Sequence, residues 1–348
     1  MTRIMNNMRR SFGFSLVELL VALVLGLFVV AGVIQVYVSN KQAYRVNDAM
    51  ERIQENARFA MHFLTRDIRM AGYRGCAGRE AIVKNTLNPS SDYRFNFDIP
   101  IEGHEASGSG WAPSIDTSII TSPASDHDIL VLRGSFGGGV KVTGQPSSAT
   151  DCTNAHSYTA DLKISDASLF DKKDIVMATN CSRAAIFQIT NINSGENVVH
   201  NTGGSVSPGN STKDLGACFA GNGELVGMET RIYYIRDNAI GEPSLYRIRG
   251  AHTPEELVEG VEDMQILYGV DTDGDLSANK YDTADHVSSA GEWNDVVSVR
   301  VQLLLRSLVD NVVDAPRSFT FNGETVTPTD KRIRRVFTST ASLRNRTP

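Results

Sequence analysis

The run Asp271-Thr272-Asp273-Gly274-Asp275-Leu276-Ser277-Ala278-Asn279-Lys280-Tyr281-Asp282 sets oxygen-bearing side chains at loop positions 1, 3, 5, 7, 9 and 12. That is the spacing of a calcium loop, in which alternate carboxylates converge on one ion that takes about six to eight oxygens. Asp271, Asp273, Asp275 and Asp282 are the candidate ligands. Two departures weigh against it: position 6 is Leu276 where an EF-hand has glycine, and position 12 is Asp282 instead of the longer Glu. The competing reading is an exposed acidic turn, for which Asp273-Gly274 is sufficient cause.

Other chemistry is thinly represented. None of the 7 histidines stands in a His-x-x-x-His or His-Glu-x-x-His pattern, and there is no Gly-x-Ser-x-Gly elbow. Gly137-Gly138-Gly139 lacks the Lys-Ser/Thr that completes a phosphate loop. The expectation is a chain that is not an enzyme and requires no cofactor, calcium at the acidic loop being the one candidate. The 4 cysteines, Cys76, Cys152, Cys181 and Cys218, contain no Cys-x-x-Cys pair, which argues against zinc. An even set suggests disulfides in an oxidising compartment; three pairings are open, and free buried thiols are the alternative.

The N-terminus offers a different kind of chemistry. Arg3, Arg9 and Arg10 precede Gly13-Phe14-Ser15-Leu16-Val17-Glu18, and from Phe14 to Val38 only Ser15, Glu18 and Gln35 are clearly polar. At about 1.5 Å per residue this segment spans a hydrocarbon core of roughly 30 Å. The basic leader stays on the cytoplasmic side, so the bulk of the chain lies beyond the membrane. The apolar run is too long for a cleaved secretory signal, and the small residue Gly13 precedes it. Glu18, one turn from Phe14, sits where a helix dipole favours an acid and can reach the interface.

These residues need elements to hold them. Beyond Val38 apolar residues recur at Val46, Met50, Ile53, Ala57, Met61, Leu64 and Ile68, with Arg45, Asp48, Glu51, Arg52, Glu55, Arg58, Arg66 and Asp67 forming a charged face. One helix from about Phe14 to about Met70 would be roughly 85 Å long. Its upper stripe is expected to pack on its own sheet in preference to a coiled coil. Past Cys76 short apolar runs separated by Gly, Ser, Asn and Pro read as strands: Ile129–Leu132, Ile175–Ala178, Ala185–Ile189, Arg231–Ile235, Leu245–Ile248, Met264–Val270 and Val297–Leu303. Residues 85–125 and 134–161 read as long loops. The fold class is α+β: a long N-terminal helix, membrane-spanning and then amphipathic, packed on a β-rich head. The divisions are 1–13 as leader, 14–38 as membrane helix, 39–72 as its amphipathic continuation and 73–348 as one head. With 348 residues, 41% hydrophobic, and a net charge of -6, the chain can build that core and is not a nucleic-acid binder by charge.

Gly13-Phe14-Ser15-Leu16-Val17-Glu18 followed by Leu19-Leu20-Val21-Ala22-Leu23 resembles the class III signal of type IV prepilins and pseudopilins. Downstream, Ser125–Gly134, Asn180–Gln188, Leu267–Asp275 and Arg335–Asn345 are similar to stretches of the PilW family of minor pilins. Major pilins often carry a proline in the membrane helix, where this chain has Gln35 and no proline, leaving Gly26 and Gly32 as the residues able to loosen it. The resemblance implies cleavage by a prepilin peptidase after Gly13, N-methylation of Phe14, and pairing of Glu18 with the terminal amine of a neighbouring subunit. It implies as partners other minor pilins, the major pilin, an inner-membrane assembly platform, a large tip adhesin and membrane lipid. The expected place is the inner membrane, N-terminus inside and head periplasmic, then the pilus at the cell surface. The expected work is priming assembly at the tip in support of twitching motility, adhesion or DNA uptake. A type II secretion pseudopilin, or an anchored calcium-binding or adhesive domain that never polymerises, are the alternatives.

Overall fold

The computed structural model describes residues 14–78, 80–90, 92–108, 110–145, 159–203 and 206–346. A single helix, α1 (Leu16–Met70), runs unbroken through Gly26 and Gly32. Neither glycine loosens it, because straight-chain and branched apolar neighbours carry the propensity on both sides and no proline removes a donor. The lower part stands clear of the rest of the chain, with the side chains of Leu16 to Val38 exposed and a window of mean hydropathy 2.8. The upper part is anchored: Ala49, Ile53, Ala57, Ala60, Leu64 and Ile68 are buried, and Val46, Met50 and Met61 pack at the margin. Three of the six buried positions are alanine, so the helix backbone lies close to the sheet beneath it. The upper stripe thus serves its own head, as its spacing predicts.

Among the described residues the head contains three main sheets. A four-stranded antiparallel sheet, in the order Lys280–Asp282, Val261–Val270, Val296–Arg306, Arg334–Ser342, packs against α1. A six-stranded sheet runs Glu255–Glu259, Pro243–Arg249, Glu229–Asp237, Ile129–Gly134, Ile101–Ser107, Gly110–Ala112. Together with α1 these two enclose the largest core, which includes Leu130, Tyr233, Met264, Val301 and Leu303. Close contact between them requires Gly103, where an added Cβ would fall inside the Tyr268 hydroxyl. Tyr268 also meets Trp293 edge to face at 4.9 Å, a geometry that adds to the burial of both rings.

An eight-stranded sheet lies beside them with its own core around Phe187, Phe219 and Leu225. Its strands run Ile82–Asn85, Arg183–Gln188, Ile175–Thr179, Glu224–Gly227, Gly139–Gly144, Asp161–Ile164, Asn197–Val199 and Asn191–Asn193 in spatial order. All seven strands read from sequence are present, six of them longer than read and Ala185–Ile189 shifted to Arg183–Gln188. The two long loops are corrected: residues 85–125 contain the strands Ile101–Ser107 and Gly110–Ala112, and residues 134–161 contain Gly139–Gly144. Glycine and charge in Ile101-Glu102-Gly103-His104-Glu105 hide a strand whose partners, not its composition, make it extended. The expected alternation of Val297–Leu303 holds only at its centre, since Val296 to Val299 are buried on both faces.

Candidate functional site

Ser15 is the N-cap of α1. Its hydroxyl accepts the Glu18 amide at 3.2 Å, and Glu18 Oε2 accepts the Ser15 amide at 2.9 Å, a reciprocal capping box. The acid therefore closes the first turn of the helix and lies at the positive end of its dipole. Oε2 is engaged within the chain, and the carboxylate is exposed, so it remains open to a cation from outside. Phe14 is 88% exposed at the head of the helix. Gly13, the expected cleavage position, lies outside the described residues.

What fixes the helix to the head is a group the periodicity misplaced. Asp67, read as part of the charged face, is only 2% exposed. Arg231 Nη1 donates to both of its carboxylate oxygens at 2.8 Å, and the Tyr233 hydroxyl donates to Oδ2. Arg247 stands 3.6 Å away and is itself held by Glu255, while Arg231 is also held by Glu229. Burial, followed by the Asp67 charge, pushes the Tyr233 phenol well above its ordinary range. The signal was available: Asp67 follows Leu64 by three and precedes Ile68, which is stripe spacing. Two further ties bind the stem, Gln42 Nε2 to the Val312 carbonyl at 2.5 Å and Asn56 Nδ2 to the Glu259 carbonyl at 3.0 Å.

Cys76 and Cys181 form a disulfide across 105 residues, joining the segment that leaves α1 to the hairpin of strands Ile175–Thr179 and Arg183–Gln188. Cys218 is disulfide-bonded as well. Cys152 lies outside the described residues.

The acidic loop divides. Ligand oxygens of Asp271, Asp273 and Asp275 lie within 4.8 Å of one another. Asp282 is not with them: it sits in the strand Lys280–Asp282, 3.0 Å from His286 Nδ1 and 3.5 Å from Lys280 Nζ. The four-acid set is thus corrected to three, because pairing of Tyr281 with Gly269 pulls the twelfth position into a strand. Asp271 accepts amides from Gly274 at 2.7 Å and Leu276 at 2.9 Å, which curl the loop. Against slight burial, which raises it, those amides hold the Asp271 carboxyl below its ordinary value. Leu276 takes φ +68°, so position 6 reaches the left-handed region without glycine.

A second buried acid, Asp128, carries no signal in its spacing. Asp128 Oδ1 accepts the Ala106 amide at 3.0 Å and Oδ2 accepts the Ile266 amide at 2.7 Å, bridging the six- and four-stranded sheets. Burial, with the charge of Glu105, pushes its carboxyl up to about 8 against the pull of those amides. Nearby Arg133 is wholly buried, its guanidinium shared among Glu102 at 2.7 Å and the carbonyls of Tyr93 and Ile99.

Residues 232–345 match the family described as type IV pilus-assembly protein W, and residues 8–34 match the prokaryotic N-terminal methylation motif. No curated protein matches the chain. Among solved structures, a type IV-like pilin from Thermus thermophilus aligns over 85% of this chain and 98% of its own length, with 10% identity and a TM-score of 0.33. The two family matches fall on the two parts built above: the capped apolar helix, and the portion of the head that packs against its upper half.

Proposed function

We infer that this type IV pilin-like chain, carrying a PilW domain behind a membrane-anchoring prepilin helix, works as a minor pilin. In this reading it is made in the inner membrane with its N-terminus inside and its head periplasmic. Prepilin peptidase removes residues 1–13, Phe14 is methylated, and the subunit joins other minor pilins to prime the filament and stay at or near its tip. The observation that carries it is Glu18, an acid at the rim of the apolar lower half of α1, whose side chains are exposed and belong to no core of the described residues. In an anchor alone the carboxylate serves only its own helix cap. In a polymerising helix it does more, because a neighbour's terminal amine gives the acid a partner in low dielectric, where an opposite charge attracts strongly and a lone one is penalised.

The role is structural, since the features that the fold invests in are ties between helix and sheets. Its partners would be the other minor pilins, the major pilin and the assembly platform, with a large tip adhesin beyond, in support of twitching motility, adhesion or DNA uptake. Calcium at Asp271, Asp273 and Asp275 would stiffen a loop of the head. The reading is tested by the N-terminal peptide of the protein recovered from sheared filaments. Its mass should be that of a chain beginning at N-methylated Phe14; a chain that begins at Met1, or is never found in filaments, would sink it.

A further inference from the structure

The outward face of the four-stranded sheet carries a row of polar side chains, none of which the helix or the core uses. Gln265, Gln302 and Thr338 stand side by side on three adjacent strands by register, and Leu267, Arg300 and Thr340 form the next row. The tip of the hairpin Phe319–Phe321/Glu324–Val326 leans over this face at Asn322 and Gly323. Glu105 and Thr283 close the far side, leaving a cavity of about 210 Å³.

The bonds inside this groove are long. Gln302 Nε2 reaches Thr338 at 3.4 Å, Asn322 Nδ2 reaches Gln265 at 3.3 Å, and Glu105 accepts the Ala284 amide at 3.4 Å. The Asn322 amide to Gln302 Oε1, at 3.0 Å, is of ordinary length, while Thr283 and Gln265 are held from outside the groove by Asp285 at 2.5 Å and Asp263 at 3.2 Å. Weak bonds of this kind are easily exchanged for a ligand's. The Arg300 side chain makes no hydrogen bond or ion pair among the described residues, and its guanidinium carbon lies over the Tyr281 ring, 4.0 Å from the centroid. A cation over an aromatic face is held by the ring's electrons and does not spend its N–H donors, which stay available to a ligand.

We propose that this groove binds a neutral saccharide. Planar amide, carboxylate and guanidinium groups each present two polar atoms side by side, which suits adjacent hydroxyls that both donate and accept. One cation, Arg300, and one carboxylate, Glu105, face the cavity, so its formal charge sums to zero and an uncharged ligand fits better than an acidic one. In the reading above the site would give the tip a target; binding itself is measured on the isolated chain and does not depend on filaments.

The full chain, purified in a zwitterionic detergent that carries no sugar, is applied to an array of immobilised neutral, amino and uronic-acid oligosaccharides. The best ligand is then titrated against the native chain, Gln302→Ala, Arg300→Ala and, as a control on the exposed side of α1, Gln54→Ala. The site predicts retention of at least one neutral sugar, weakened tenfold or more in the first two variants and unchanged in the third. Circular dichroism identifies a misfolded variant, for which Gln265→Ala is substituted. Failure of the native chain to retain any neutral sugar overturns the proposal, as does equal binding by both groove variants.

Discussion

At the scale of single residues, buried acids matter more than the many exposed ones. Asp67 is enclosed by Arg231, Tyr233 and Arg247, and deleting one member of such a set leaves an uncompensated charge. Asp67→Ala should cost about 3–5 kcal/mol in denaturant unfolding of the detergent-solubilised chain. Asp48→Ala, which removes only the exposed pair with Arg52, should cost no more than about 0.5 kcal/mol. Asp128 gives a pH signature. Its folded-state pKa of about 8 lies above the usual 3.8, so its contribution is fully present below the unfolded value and is lost as pH rises through the folded one. The head should melt at lower temperature at pH 9 than at pH 6, and Asp128→Asn should flatten that slope while starting from a lower midpoint. A slope unchanged in the variant would assign it elsewhere. These acids were the least legible part of the sequence. Asp67 stands at stripe spacing but, like Asp128, reads as a surface residue by its charge, because the groups that make its burial possible lie more than a hundred residues away.

At the scale of elements, α1 was legible almost to the residue: an apolar run, a stripe at steps of three and four, no proline and a glycine stop at Gly72 leave little freedom. The short strands inside the supposed loops were not, because polar or glycine-rich strands are specified by pairing. The Cys76–Cys181 bond joins the segment that leaves α1 to the turn between Ile175–Thr179 and Arg183–Gln188, and its pairing was one of three open to the sequence. Cys181→Ser should destabilise the head by about 2–5 kcal/mol, seen as a lower unfolding midpoint that reducing agent reproduces in the native chain. For the acidic loop, isothermal titration should give weak heat with calcium that is lost in Asp273→Ala and kept in Asp282→Ala, since Asp282 lies outside the cluster. Silence at millimolar calcium would leave the loop a plain acidic turn.

At the scale of the whole molecule, two halves of one helix answer to different surroundings. The upper half is fastened to the head through alanines, Asp67 and two carbonyl ties, whereas the lower half offers exposed apolar side chains and one acid that, among the described residues, bonds only within its own first turn. This division is what a subunit passing from a membrane into a filament requires, and it places the decisive group at Glu18. The most direct measurement is the amount of protein in sheared filaments and in the membrane, for the native chain and for Glu18→Ala. The variant should insert in the membrane normally and lose only one half of the capping box with Ser15, yet be missing from filaments. Glu18→Ala present in filaments at the native level would contradict the account.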